Sequence, residues 1–321
     1  MSISSVAFGW KPVLNVDFGI ALAGLIVGIV VGLTGMGGGA LMTPILVIGF
    51  GIEPLAAVSS DLVAAVVMKP IGGGIHFRRG TVHTGLVRWL ALGSVPGALI
   101  GSYIVSHLSG DTGDTIKVVL GVVLLLAASG MVIRGYLSAR RPVGVEGEAA
   151  ERVPVKRAAT LAVGFVGGTI VGMTSVGSGS LMIVALMLLY PTLSSRELVG
   201  TDLVQAVPLV LAAAIGHLLW GEFELALTGS LLIGAVPGVI IGAHVSSRAP
   251  DAFIRPVLVL VLALSGLKLL DVPNQVLAGI LVASLAGGVT TWIVTRRRAR
   301  ARELARRAVP AASAPPGSTP G

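Results

Sequence analysis

The chain repeats itself, and that constrains its fold more than any other feature. The stretch from Gly32 to Met42, GLTGMGGGALM, aligns with Gly172 to Met182, GMTSVGSGSLM, at an offset of 140. After one inserted residue the offset becomes 141: Ser60-Asp61-Leu62-Val63 meets Thr201-Asp202-Leu203-Val204, and His76 meets His217. Gly80 then meets Gly221, Val95-Pro96-Gly97 meets Val236-Pro237-Gly238, and Gly101 meets Gly242. Shared apolar composition does not put Asp, His and Pro in register. The chain is read as a duplication, and its fold must hold two like halves.

The solvent of that fold is lipid. Hydrophobic residues make up 54% of the 321 residues and charged residues 12%, against about 25% charged in an ordinary soluble domain. Mean hydropathy is +0.93. These values exclude a soluble globular enzyme, a disordered chain and a coiled coil. Glycine is abundant at 45 residues and aromatics are scarce at 4%, so small residues must do much of the helix packing, as they do in membranes. Cysteine is absent, which excludes disulfides, thiolate chemistry and Cys-based metal sites. The net charge of +8 is not read as a nucleic-acid footprint. Arg296, Arg297, Arg298, Arg300, Arg302, Arg306 and Arg307 crowd the end of the chain directly after an apolar span, the usual cytoplasmic flank.

Apolar spans fall at roughly 18–34, 39–52, 55–76, 84–107, 115–137, 158–173, 179–190, 197–220, 225–247, 252–270 and 275–295. A helical crossing needs about 20 residues. The second and seventh spans are too short and follow glycine clusters, so they are expected to be half-helices or arms of re-entrant hairpins. The expected class is an all-α polytopic membrane protein of two inverted-topology repeats with broken helices, plus one extra C-terminal helix. Its expected parts are an N-terminal segment 1–17, repeat one at 18–137, a polar cytoplasmic linker at 138–157, repeat two at 158–270, the extra helix at 271–295, and a basic then disordered tail at 296–321. The first 17 residues lack a charged n-region followed by an h-region and cleavage site; the first apolar span is expected to be retained as an anchor.

Charge sets the orientation. With the terminal Arg run inside, the linker with Arg140, Arg141, Arg152, Lys156 and Arg157 is inside too, as are Arg78, Arg79, Arg196 and Arg248. Asp17, Glu53, Asp111, Asp114, Glu222, Glu224 and Asp271 fall outside, with Lys11, Lys117 and Lys268 the basic residues on that side. This is the positive-inside pattern. It places the N-terminus outside and the C-terminus in the cytoplasm of a multi-pass protein of the cell membrane. Each half has an odd number of spans, so the halves are inverted, the architecture of many secondary transporters.

The glycine cluster GMGGGALMTP at 35–44, the SSDL and GTDL pair, HFRRGTV at 76–82, and the paired GSVPG and GAVPG resemble the TauE/SafE sulfite-exporter family over about residues 18–270. The resemblance implies a membrane permease for sulfite, organosulfonates or other small sulfur-containing anions.

Particular residues could carry such transport. Glycine costs about 1 kcal/mol per residue in a helix and permits positive φ, so the cluster with Gly37, Gly38 and Gly39 should break the first helix. A helix restarting near Ala40 presents free N–H groups, an anion site at membrane depth. Gly177, Ser178, Gly179 and Ser180 repeat the break with two hydroxyl donors. Close helix packing is the competing explanation of these glycines. The GxGxxG spacing of a nucleotide loop is not met, because Ala40 stands at its last position.

Lys69 lies inside an apolar span, where an unpaired charge costs several kcal/mol. It is read as the countercharge of an anion or as a structural partner of Asp61; the second half has Leu211 near the equivalent position. Asp61 and Asp202 are read either as helix N-caps or as proton or sodium coupling sites. The five histidines lack metal-ligand spacing. No cofactor is expected.

A secondary transporter of small anions working by alternating access is the reading these features favour. A membrane sensor or assembly protein is the alternative, and would call for a soluble partner domain. An intramembrane enzyme is a weaker one, and would need a nucleophile with its base or an HExxH-type motif. No Walker A sequence is present to drive transport with ATP.

Overall fold

A computed structural model of the chain describes residues 16–34, 38–108, 113–140, 153–245, 251–284 and 286–287. Among these residues every regular element is helical: α1 Phe18–Thr34, α2 Gly39–Pro44, α3 Pro54–Arg78, α4 Thr84–Leu108, α5 Gly113–Arg140, α6 Arg157–Thr174, α7 Leu181–Leu189, α8 Ser195–Trp220, α9 Leu225–Val245 and α10 Asp251–Leu269. Residues from Pro273 onward form a separate unit, in which α11 spans Asn274–Ser284. The terminal Arg run and most of the polar linker lie outside the described residues.

Six helices are long and apolar enough to cross a membrane, the apolar stretches of α3, α4, α5, α6, α8 and α9. The protein is an all-α, polytopic membrane protein. The two short spans behave differently. α2 has 6 residues and runs into a single π turn at Ile45–Gly49, beginning just after Pro44, whose ring supplies no N–H to the helical ladder. α7 has 9 residues. At about 1.5 Å per residue, neither reaches across a hydrocarbon core of about 30 Å.

Helix starts are set by local chemistry. Pro54 opens α3, a position where a missing N–H is harmless, and Glu53 Oε2 accepts from the Ala56 N–H at 2.9 Å. α8 opens with a capping box: Ser194 Oγ accepts from the Glu197 N–H, and the Glu197 side chain accepts from the Ser194 N–H.

The helices pack across the two halves. α1 lies along α9, α4 along α6, α3 along α8 and α5 along α10. The α4–α6 and α1–α9 seams follow the sequence repeat residue by residue. A Cβ on Gly97 would sit 2.3 Å from the Phe165 carbonyl oxygen; on its counterpart Gly238 it would sit 2.4 Å from that of Leu25. Gly93 meets Leu161 as Gly234 meets Ala21, and Gly101 meets Thr169 as Gly242 meets Ile29. Such small-residue seams let backbones touch, which is how membrane helices gain packing where lipid offers no hydrophobic contrast. α3 and α8 run antiparallel: Ser59 meets His217, Gly73 meets Leu203, and His76 meets Gly200.

Charge separates to the two ends of this bundle. Arg78 ends α3 beside the start of α8, where Arg196 stands. At the opposite end Glu53 lies near Glu222 and Glu224. Burial pushes the Glu53 carboxyl above its ordinary range, the Ala56 N–H pulls it back, and the charge of Glu222 adds to the rise.

Candidate functional site

Both helix breaks meet in the interior. Gly39 packs against the second break, where a Cβ on it would lie 2.0 Å from the Ser175 carbonyl oxygen, whereas Gly38 lies against Met68, Asp61 and Val31. The close packing weighed for these glycines is therefore present at Gly39. Gly37 lies outside the described residues. In the second half α6 ends at Ser175, whose φ of 58 is left-handed, and Gly177 and Gly179 take φ values of 126 and 92 before α7 begins. Those last two angles are why this stretch needs glycine: a Cβ disfavours them strongly.

Charged side chains from three helices reach the 175–180 segment. From α3, Asp61 Oδ2 accepts from Ser175 Oγ at 2.5 Å and from Thr43 Oγ1 at 3.4 Å. Lys69, also on α3, donates from Nζ to Ser178 Oγ at 2.6 Å. From α8, Asp202 accepts from the Gly179 N–H and, through Oδ1, from Gln205 Nε2 at 3.2 Å. From α5, Arg134 donates to the Gly179 carbonyl oxygen at 3.2 Å. Gln205 is itself held by Ser94 of α4 at 3.2 Å. Ser180, the last of the predicted donors, is buried at the start of α7.

Relative exposures of 0% for Asp61, 1% for Asp202 and 6% for Lys69 decide that all three point into the protein rather than toward lipid. The charges of Lys69 and the two aspartates interact, but the ammonium bonds Ser178 instead of closing an ion pair with Asp61. Asp61 Oδ1 is buried without a hydrogen-bond partner among the described residues. The cluster holds two cationic and two carboxylate groups and the hydroxyls of Thr43, Ser175 and Ser178. It can take up a small anion between fixed positive charges, and it can exchange a proton.

The helix-cap reading of the aspartates is corrected. Asp61 is the eighth residue of α3 and Asp202 the eighth of α8, two turns inside their helices, where the backbone N–H groups are already used. The caps lie upstream, at Glu53 and Ser194. Ser59, Ser60 and Thr201, beside them in sequence, are themselves buried inside the helices.

Four participants escaped the sequence reading. Arg134 was visible as a charge near the end of the fifth span. Ser175 was visible within the second break, and Thr43 and Gln205 carried no signal beyond being polar among apolar neighbours. His217 is the repeat counterpart of His76. It is fully buried, with Nδ1 2.8 Å from Ser59 Oγ and Nε2 2.7 Å from the Gly172 carbonyl oxygen.

Comparison with known proteins agrees with this architecture. Residues 20–269 match the family described as "Sulfite exporter TauE/SafE". The chain is 40% identical over 256 residues to the "Probable membrane transporter protein YjnA" of Bacillus subtilis (strain 168), covering 78% of this chain and 98% of that one. It is 26% identical over 255 residues to "Probable membrane transporter protein YdhB" of the same organism, covering 78% and 99%. No solved structure matches. A family match over most of the chain and a full-length relative at this identity settle membership: the chain belongs to the TauE/SafE sulfite-exporter family of membrane transporters.

Proposed function

We propose that the protein is a secondary transporter that moves small, sulfur-containing anions such as sulfite or an organosulfonate across the cell membrane by alternating access. The observation that carries this reading is Lys69, a buried ammonium bonded to Ser178 in the second helix break, with Arg134 bonded to the adjacent Gly179 carbonyl of the same segment. A cation kept in a sealed membrane interior is costly unless it has work to do. A small anion displacing Ser178 would find the ammonium of Lys69. The sulfur chemistry rests on the family, whose description names sulfite.

The antiparallel passage of α3 and α8, repeat counterparts of each other, supports two inverted halves, the layout in which one half rocks against the other around a fixed central site. The separation of Arg78 and Arg196 from Glu53 and Glu222 supports the N-terminus outside and the C-terminus in the cytoplasm.

The test is entry of radiolabelled sulfite into proteoliposomes holding the full chain, with taurine and acetate as competitors. The reading predicts saturable entry that taurine or another sulfur oxyanion blocks better than acetate. Entry no faster than in empty liposomes, for every sulfur anion tried, would reject it.

A further inference from the structure

We infer that Asp61 holds the coupling proton of this transporter, and that the 175–180 segment links its charge state to the anion site. The inference deepens the anion-transport reading and rests on it for the coupling, though not for the proton site itself.

The carboxyl is lopsided. Both of its hydrogen bonds, from Ser175 and Thr43, fall on Oδ2. Oδ1 has no partner among the described residues and is shut away from solvent. A buried, unpartnered carboxylate oxygen is costly, and a proton there removes the charge that makes it so. A sodium ion fits less well, because it needs a shell of oxygens. Oδ1 instead faces Gly38, whose Cβ position is 3.6 Å away and also close to the Met68 methyl and the Val31 side chain. No cluster of three or more His, Asp or Glu is available there among the described residues.

Asp202 is the poorer proton carrier. It has the Gln205 amide and the Gly179 N–H as donors, and the charges of Lys69 and Arg134 both act on it. Among the described residues Asp61 faces one cation, Lys69 on its own helix; α2 and the second break present hydroxyls to it. Charge-balance arithmetic points the same way. Lys69 and Arg134 offset Asp61 and Asp202, so the empty cluster is neutral. A singly charged anion adds one negative charge, and a proton on Asp61 restores neutrality.

The link is the break itself. Ser175 donates to Asp61 and Ser178 accepts from Lys69, three residues apart in one segment with left-handed backbone at Ser175, Gly177 and Gly179. Protonation turns a charge-assisted bond at Ser175 into an ordinary one, while an anion at Lys69 displaces Ser178. Each event loosens the same segment, so each favours the other.

The experiment reads the infrared C=O stretch of a protonated carboxyl in the reconstituted full chain as pH is lowered in potassium buffer. Wild type and Asp202→Asn should show a band that is missing in Asp61→Asn. In Ser175→Ala, which keeps the carboxyl but loses a donor to its charged form, the band should appear at higher pH. Exchanging potassium for sodium at fixed pH should leave it unchanged. A wild-type-minus-Asp61→Asn difference spectrum without the band, or a band abolished by sodium, overturns the assignment. In the same vesicles, radiolabelled sulfite entering without protons, read by an internal pH dye, overturns the coupling. No sulfite entry with the band intact rejects sulfite as the substrate and keeps the proton site.

Discussion

Ser59 Oγ of α3 lies 2.8 Å from His217 Nδ1 of α8, and their repeat counterparts, Gly200 and His76, meet at the other end of the same helix pair. One contact is thus written twice, with the halves exchanged. The two copies are unequal. His217 is fully buried and bonds Ser59 and the Gly172 carbonyl, whereas His76 is partly exposed and bonds Thr81. Replacing His217 by Ala should lower the unfolding free energy by about 2–4 kcal/mol, since it leaves a cavity and unpaired groups. His76→Ala should cost well under half of that. Thermal melts of the two variants in detergent compare them, and equal losses would contradict the asymmetry.

The glycine seams predict paired effects. Gly97→Ala and Gly238→Ala each drive a methyl into a backbone carbonyl and should destabilise by about 1–3 kcal/mol. Gly135→Ala, where nothing lies within 4 Å of the added carbon, should be neutral or slightly stabilising. Similar melting temperatures for all three would show that the seams are not tight.

Ser178→Ala removes the hydroxyl bonded to Lys69 while leaving the left-handed glycines of the break in place. The loss of one hydrogen bond to a charged group is worth about 1.5–3 kcal/mol. Because an incoming anion no longer has to displace that hydroxyl from Lys69, the half-saturating sulfite concentration should fall about tenfold, with expression unchanged and a small drop in melting temperature. An unchanged half-saturation value would remove Ser178 from the anion path.

Orientation is tested by adding single cysteines to a chain that has none. Glu224→Cys, exposed at the acidic end, should react with a membrane-impermeant thiol reagent applied to intact cells. Thr84→Cys, exposed near the end that carries Arg78 and Arg196, should react only after the cells are opened. The reverse pattern would invert the topology.

Much of this molecule is legible in its sequence, because lipid imposes simple rules. Apolar runs bounded by Pro54, by the Ser194 to Glu197 box and by the glycine breaks give the helices and their lengths. Lys69 stands out because a charge in an apolar span is rare. What periodicity cannot carry is which helix faces which. The crossing partnership of α1 with α9 and α4 with α6 depends on spacing between the halves, and so does the convergence of Asp61, Ser175, Lys69 and Ser178. Of the two readings of the aspartates, the cap fails because Ser59, Ser60 and Thr201 beside them, cap-type residues by their chemistry, lie inside the helices. The true caps stand eight residues upstream, at Glu53 and Ser194. Arg134 was obscured by standing near a helix end, where a basic residue ordinarily serves as a cytoplasmic flank.

Lys69 gives the most direct test of the whole account. The measurement is sulfite counterflow in proteoliposomes, which needs no ion gradient, with folding checked by monodispersity and melting temperature. Lys69→Met should insert and fold yet exchange sulfite no faster than empty liposomes. Lys69→Arg should retain part of the activity, because the charge survives while the geometry at Ser178 changes. Counterflow at the wild-type rate in a folded Lys69→Met variant would contradict the anion site built on that side chain.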